Sequence, residues 1–172
     1  YYSDSPQAVV VQLGGTGTGT AQDGWGGTDT LISIEEVRGS SFNDSLTGTD
    51  SGAYESFEGR GGNDTIVGNG GTDRANYQTS PSAVNVNLIT GTATDGWGGT
   101  DSLSGIENVR GSDHADTLIG SGTGNHIDDR AGNDSVSAGG GDDTILGTAG
   151  NDSIDGGAGL DFVDYRSSPA AI

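Results

Sequence analysis

The nine residues Gly156-Gly157-Ala158-Gly159-Leu160-Asp161-Phe162-Val163-Asp164 decide the fold of this chain. Their pattern is Gly-Gly-x-Gly-x-Asp-x-apolar-x, in which a glycine-rich turn leads into a short extended segment. Glycine accepts the positive φ angles of tight turns, and alternate residues of an extended segment point to opposite faces. Each such nonapeptide predicts a turn followed by a strand with one inward apolar side chain, and its repetition predicts a solenoid.

The same pattern recurs at nine-residue intervals along much of the chain. In the second half, the acidic position is occupied by Asp116, Asn125, Asp134, Asp143, Asp152 and Asp161. In the first half, it is occupied by Asp44, Glu55, Asp64 and Asp73, with two extra residues inserted near Ser51–Tyr54. An apolar residue usually follows two positions later, and several of the turns begin at glycines, namely Gly59, Gly68, Gly147 and Gly156. This register, kept over many copies, predicts stacked coils of two nonapeptides each.

A longer repeat lies over the nonapeptides. The segment from Asp23 to Leu31 recurs 72 positions later, from Asp95 to Leu103. Tyr2, Tyr77 and Tyr165 begin three related segments, each with a proline four residues later. We therefore divide the chain into a first unit at residues 1–76, a second unit with extra nonapeptides at 77–164, and the start of a third at 165–172.

Composition excludes several classes of protein. The 172 residues include 34 glycines and no cysteine, and 25 acids against 6 bases give a formal net charge of −19. Such a charge would repel nucleic acid phosphates, and the absence of cysteine excludes disulfides and thiolate metal sites. No apolar run approaches the roughly 18 residues of a membrane span. We find no nucleophile–base arrangement or zinc-protease motif and expect no enzymatic activity.

The acidic columns point to a hard metal ion. Successive acids in a two-nonapeptide coil fall on opposite edges, so that Asp116, Asp134 and Asp152 share one edge and Asn125, Asp143 and Asp161 the other. Carboxylates stacked about 4.8 Å apart repel one another unless a cation lies between them, and Ca²⁺ takes six to eight carboxylate and carbonyl oxygens. The candidate calcium ligands are Asp29, Asp44, Asp64, Asp73, Asp101, Asp116, Asp134, Asp143, Asp152 and Asp161, with the turns at Gly59, Gly68, Gly147 and Gly156 supplying carbonyl oxygens.

The nonapeptides at Gly59–Ala75 and Gly147–Asp164 resemble those of the RTX, or repeats-in-toxin, family. The insert from Val84 to Ser112 is similar to segments of large RTX surface proteins. The resemblance implies an all-β parallel β-roll, type I secretion of the parent protein, and folding on contact with extracellular calcium.

These observations lead to one hypothesis and two alternatives. The chain is expected to be a calcium-stabilised structural segment of a secreted or cell-surface bacterial adhesin or matrix protein, because tandem units suggest an array. Alternatively, it is an accessory module of a secreted enzyme or polysaccharide-binding protein, in which Trp25 and Trp97 contact sugar rings, or a laterally packing lattice or sheath protein. The expected partners are calcium ions and either extracellular polysaccharide or neighbouring copies, without nucleic acid or membrane insertion.

Overall fold

A computed structural model of the chain describes residues 1–165, which form strands, turns and loops. The strands are β1 (Val10–Gln12), β2 (Gly19–Gln22), β3 (Thr28–Leu31), β4 (Glu36–Arg38), β5 (Ser45–Thr47), β6 (Ser56–Glu58), β7 (Thr65–Val67), β8 (Arg74–Asn76), β9 (Asn85–Asn87), β10 (Thr92–Thr94), β11 (Thr100–Ser104), β12 (Asn108–Arg110), β13 (Thr117–Ser121), β14 (His126–Ala131), β15 (Ser135–Gly139), β16 (Thr144–Ala149), β17 (Ser153–Asp155) and β18 (Phe162–Asp164). None of the described segments is a helix that could cross a membrane.

The strands form two sheets that face each other across the core. The smaller sheet has the order β18-β16-β14-β12-β8-β6-β4, and all of its pairings are parallel. The larger sheet has the order β17-β15-β13-β9-β10-β11-β7-β5-β1-β2-β3 and is mostly parallel. Outside the segments β1–β3 and β9–β11, the chain alternates between the two sheets, which confirms the expected all-β parallel β-roll.

One apolar side chain per strand fills the space between the sheets. In the larger sheet Leu118 pairs with Val136, and in the smaller sheet Val109 pairs with Ile127. All four side chains are buried, as is the phenyl ring of Phe57. The core is therefore a thin double row, which buries little apolar surface for each residue ordered.

Two three-stranded antiparallel meanders interrupt the parallel pairing of the larger sheet. β1, β2 and β3 form the first, and β9, β10 and β11 form the second. The nonapeptide pattern did not predict these hairpins, because within the meanders it occurs only around Asp29 and Asp101 and predicts parallel coils. In the second meander β9 pairs with β13 and β11 pairs with β7, so the meander lies between the coils of the two units.

Both sheets continue across the expected unit boundary at residues 76 and 77. β7 and β8 of the first unit pair in parallel with β11 and β12 of the second. The expected third unit at 165–172 lies, apart from Tyr165, outside the described residues.

Candidate metal centres

A ladder of side-chain hydrogen bonds runs along one edge of the roll. The amide of Asp44 donates to Oδ1 of Asp64 at 2.8 Å, and the amide of Asp64 donates to Oδ1 of Asp101 at 3.0 Å. Beyond the second meander, Asp116 donates to Asp134 at 2.8 Å, and Asp134 donates to Asp152 at 3.0 Å. Each acid thus uses one oxygen to hold the backbone of the preceding coil.

The opposite edge carries a second ladder of the same kind. The amide of Glu55 donates to Asp73 at 3.0 Å, that of Asn125 to Asp143 at 2.7 Å, and that of Asp143 to Asp161 at 3.1 Å. The two ladders confirm the predicted distribution of alternate acids between two edges. They also confirm that Glu55 occupies a position in the acidic column.

Four of the predicted ligands keep a buried oxygen that has no hydrogen-bond partner within residues 1–165. These are the Oδ2 atoms of Asp64, Asp73, Asp134 and Asp143. A buried carboxylate oxygen without a partner costs free energy, and oxygen is the donor that calcium takes. The donor set therefore fits a hard divalent cation bound at these turns.

The turns before these four acids share a backbone conformation. The residue four positions before each acid has a positive φ, with values of 75° at Arg60, 69° at Asn69, 65° at Arg130 and 105° at Gly139. Arginine rarely adopts this left-handed region, and strain of this kind concentrates at functional sites. We call these four the left-handed turns.

A second kind of turn satisfies its column residue with a hydroxyl side chain. Ser112 donates its amide to Oδ2 of Asp116 at 2.6 Å and its hydroxyl to Oδ1 at 2.7 Å. The same pair of donors joins Ser40 to Asp44, Thr49 to Glu55 and Ser121 to Asn125. We call these the serine turns. Their hydroxyl residues are not among the positive-φ residues of the described chain.

Burial and crowding raise the pKa values of the acids in the left-handed turns. Burial is the main cause at Asp64, whose pKa rises to about 8, and neighbouring carboxylates, including Asp101, add to it. Burial likewise raises the pKa of Asp73 and of Asp134 to about 6, and that of Asp143 also increases. Without a bound cation, these turns would take up protons near neutral pH.

The glycines chosen from the sequence lie where a side chain would collide. A Cβ atom added at Gly59 would collide with Oδ2 of Asp64, and one at Gly68 would collide with the carbonyl oxygen of Gly105 and lie 2.7 Å from Oδ2 of Asp73. At Gly156 the nearest atom would be Oδ2 of Asp161, whereas at Gly147 it would belong to the ring of Tyr165. Glycine at 59, 68 and 156 therefore leaves room for the column carboxylate.

Other predicted ligands occupy different surroundings. Asp101 is buried, and it accepts hydrogen bonds from Asp64 and from the hydroxyl of Tyr77 at 3.0 Å. Its counterpart Asp29 is exposed and accepts a hydrogen bond from Tyr2 at 3.1 Å. Asp152 is half-buried, and Asp161 is exposed, near the end strands β17 and β18. The structure thus brings Asp101 into the ladder and leaves Asp29 at an edge strand.

Two buried acids outside the predicted set also belong to these edges. Asp95 accepts three backbone amides of the Trp97 loop through Oδ1, and Asp129 accepts the amide of Thr148. The Oδ2 atoms of both lack a partner in the part of the chain that the structure describes. The repeat of Asp23 as Asp95 was a visible signal for the first. Asp129 occupies a glycine position, so the nonapeptide pattern argued against it.

A comparison with known families agrees with this geometry. The model of the RTX calcium-binding nonapeptide repeat matches, in four copies, residues 55–76, 110–145 and 137–167. These segments contain all four left-handed turns. No curated protein matches the chain at a significant level. Nonapeptides of this kind bind Ca²⁺, and the matched segments of the chain are RTX calcium-binding nonapeptide repeats.

Proposed function

We propose that the chain is a calcium-stabilised structural segment of a secreted or cell-surface bacterial protein of the adhesin or matrix type. Calcium converts it from a disordered chain, suited to secretion, into a stiff roll. One observation carries this proposal, namely the buried carboxylate oxygens without hydrogen-bond partners along both edges of the described roll. Because the apolar core is thin, the binding free energy of the cation contributes directly to folding.

The left-handed turns are the proposed calcium sites. Their ligands are the carboxylates of Asp64, Asp73, Asp134 and Asp143, and carbonyl oxygens of the adjoining turns complete the coordination. Asp44 and Asp116, by contrast, are proposed to be structural acids, because Ser40 and Ser112 satisfy both of their oxygens. Asn125 supports this distinction, because it occupies a serine turn without a charge.

A calcium titration followed by far-ultraviolet circular dichroism tests the proposal. We expect a cooperative change from coil to β structure at about 10⁻⁴–10⁻³ M calcium, the usual range of extracellular modules. Magnesium should not replace calcium, because it dehydrates reluctantly and demands six-fold geometry. A β-rich spectrum that persists in excess chelator at neutral pH would contradict the proposal.

Stacking between units supports an array-forming role. At the boundary between the two units, β11 and β12 are covered by β7 and β8. Their counterparts β3 and β4 are the end strands of the two sheets in the described chain. Ile106 in the covered position is 8% exposed, whereas its counterpart Ile34 is 40% exposed. The exposed edges of β3 and β4 therefore correspond to the edges of β11 and β12 that β7 and β8 cover.

We expect copies of the chain to stack through this edge, with β3 and β4 of one copy against β17 and β18 of another. Light scattering in calcium should show a mass that increases with concentration. Ile34→Glu should weaken this association by about tenfold, which corresponds to about 1.4 kcal/mol. The control is Ile89→Glu, which adds the same charge at a side chain that is 71% exposed on the second meander. Equal association of both variants would contradict head-to-tail stacking.

A polysaccharide-binding role is the second candidate. Trp25 is 60% exposed and Trp97 is 37% exposed, and each borders a shallow cavity of about 320 Å³ and 420 Å³, respectively. Exposed indole rings on glycine turns are suited to stacking on sugar rings. Under this alternative, Trp25→Ala would remove binding to a soluble polysaccharide, and Ile34→Glu would leave it unchanged.

A further inference from the structure

A carboxylate occupies a glycine position in one turn of the second unit. Asp129 lies five residues before Asp134, where the corresponding residues are Gly59 before Asp64 and Ala138 before Asp143. The pairing of β14 with β16 shifts register between Asp128 and Arg130, and this irregularity contains Asp129. The side chain of Asp129 is fully buried instead of pointing into solvent.

Three carboxylates converge at this turn. Asp129, Asp134 and Asp152 each offer an oxygen, and these oxygens lie within 4.8 Å of one another. Their Oδ1 atoms are engaged by the amides of Thr148 at 3.2 Å, Asp116 at 2.8 Å and Asp134 at 3.0 Å, respectively. The Oδ2 atoms of Asp129 and Asp134 are buried and have no partner among residues 1–165.

The nearby arginines do not neutralise this cluster. Arg130 forms its ion pair with Asp113 at 2.8 Å, and Arg110 forms its own with Asp128 at 2.8 Å. Three formal negative charges therefore meet at the roll edge, and the ion pairs of both neighbouring arginines go to other acids. The affinity of a calcium site rises with the number of charged ligands it contains.

We infer that Asp129, Asp134 and Asp152 together bind one calcium ion more tightly than any other turn of the described chain. The inference rests on calcium binding by the repeats and is independent of where the parent protein is located. Asp129 supplies a side-chain ligand where the nonapeptide pattern supplies only backbone. As calcium rises, this turn fills first and orders the coils on either side of it.

Isothermal titration of the full chain with calcium tests this inference. The wild-type isotherm should contain one equivalent that binds at least about tenfold more tightly than the others. Asp129→Asn keeps the acceptor for Thr148 and removes the charge, and it should abolish the tight phase. Asp50→Asn removes the same charge from an exposed acid outside this turn and should retain that phase.

Folding of each variant is checked by circular dichroism in excess calcium, and Asp129→Gly, which restores the pattern residue, replaces Asp129→Asn if the latter does not fold. A wild-type isotherm without a tight equivalent, or an unchanged one for Asp129→Asn, would overturn the inference. A tight equivalent that binds without any coil-to-β change would support this site and contradict the proposed folding switch, so the two failures are distinguishable.

Discussion

Asp64→Asn should raise the calcium concentration at the midpoint of folding by roughly tenfold, because the site loses one charged ligand. The substitution keeps the acceptor for the amide of Asp44, so the ladder survives and the change isolates the charge. The buried Oδ2 atom, which has no partner in the described chain, becomes an amide group that repels a cation. Circular dichroism during calcium titration gives the midpoint, and equilibrium dialysis gives the number of ions bound.

Two control variants show whether the shift of the calcium midpoint is specific to Asp64. One removes a negative charge elsewhere, and the other disturbs the ladder at a serine turn. Asp50→Asn removes one negative charge from an exposed side chain between Thr49 and Glu55 and should leave the midpoint unchanged. Asp44→Asn should lower the free energy of unfolding by about 1–3 kcal/mol. The new side-chain amide would place its NH2 group against the backbone amide of Val9 or of Ser40, each of which now donates to a carboxylate oxygen. This variant should nevertheless bind as many calcium ions as the wild type. Loss of one ion in Asp44→Asn would contradict the distinction between serine and left-handed turns.

Without calcium, the chain should be markedly more stable at pH 5 than at pH 8. Burial, together with neighbouring carboxylates, raises the pKa to about 8 at Asp64, about 7 at Asp129 and about 6 at Asp101. In the unfolded chain aspartate titrates near 3.9. The folded state therefore holds its protons more tightly, and the stability that they provide is present at low pH and is lost as the pH rises through about 6–8.

Thermal unfolding in excess chelator at pH 5, 6.5 and 8 measures this dependence. We expect the transition temperature to fall with each step towards higher pH. In calcium the transition temperature should instead increase with pH, because protons compete with the ion for the same oxygens. The calcium midpoint should accordingly be higher at pH 5.5 than at pH 7.5. A chelated chain that is most stable at pH 8 would show that these carboxylates are ionised in the folded state without a cation.

The nine-residue spacing was enough to predict the roll, because the stacking of each coil depends only on the neighbouring coil. A strict period of nine places Leu118 and Val136, two periods apart, in direct register on one sheet. It also places Asp116 and Asp134 on the same edge. Neither prediction requires knowledge of distant contacts, since each coil is built on the one before it.

Features that depend on contacts between segments were not predicted. The meander of β9, β10 and β11 is held by antiparallel pairing, which the nonapeptide pattern does not encode. The distinction between Asp64 and Asp116 lies in whether a neighbouring hydroxyl reaches the carboxylate, as Ser112 does. Asp129 was missed because the pattern expects glycine at that position, although the alternation along β14 places its side chain on the same inward face as Ile127.

The parallel stacking of coils has a mechanical consequence. The hydrogen bonds between coils run along the axis of the roll, as do the carboxylate ladders, so tension along that axis loads them directly. A coil of 18 residues adds about 4.8 Å to the length of the roll, whereas the same residues span about 60 Å when pulled straight. Under load the segment would therefore lengthen coil by coil, more than tenfold for each coil released, and refold when calcium binds again. Calcium concentration would set the force at which this extension begins.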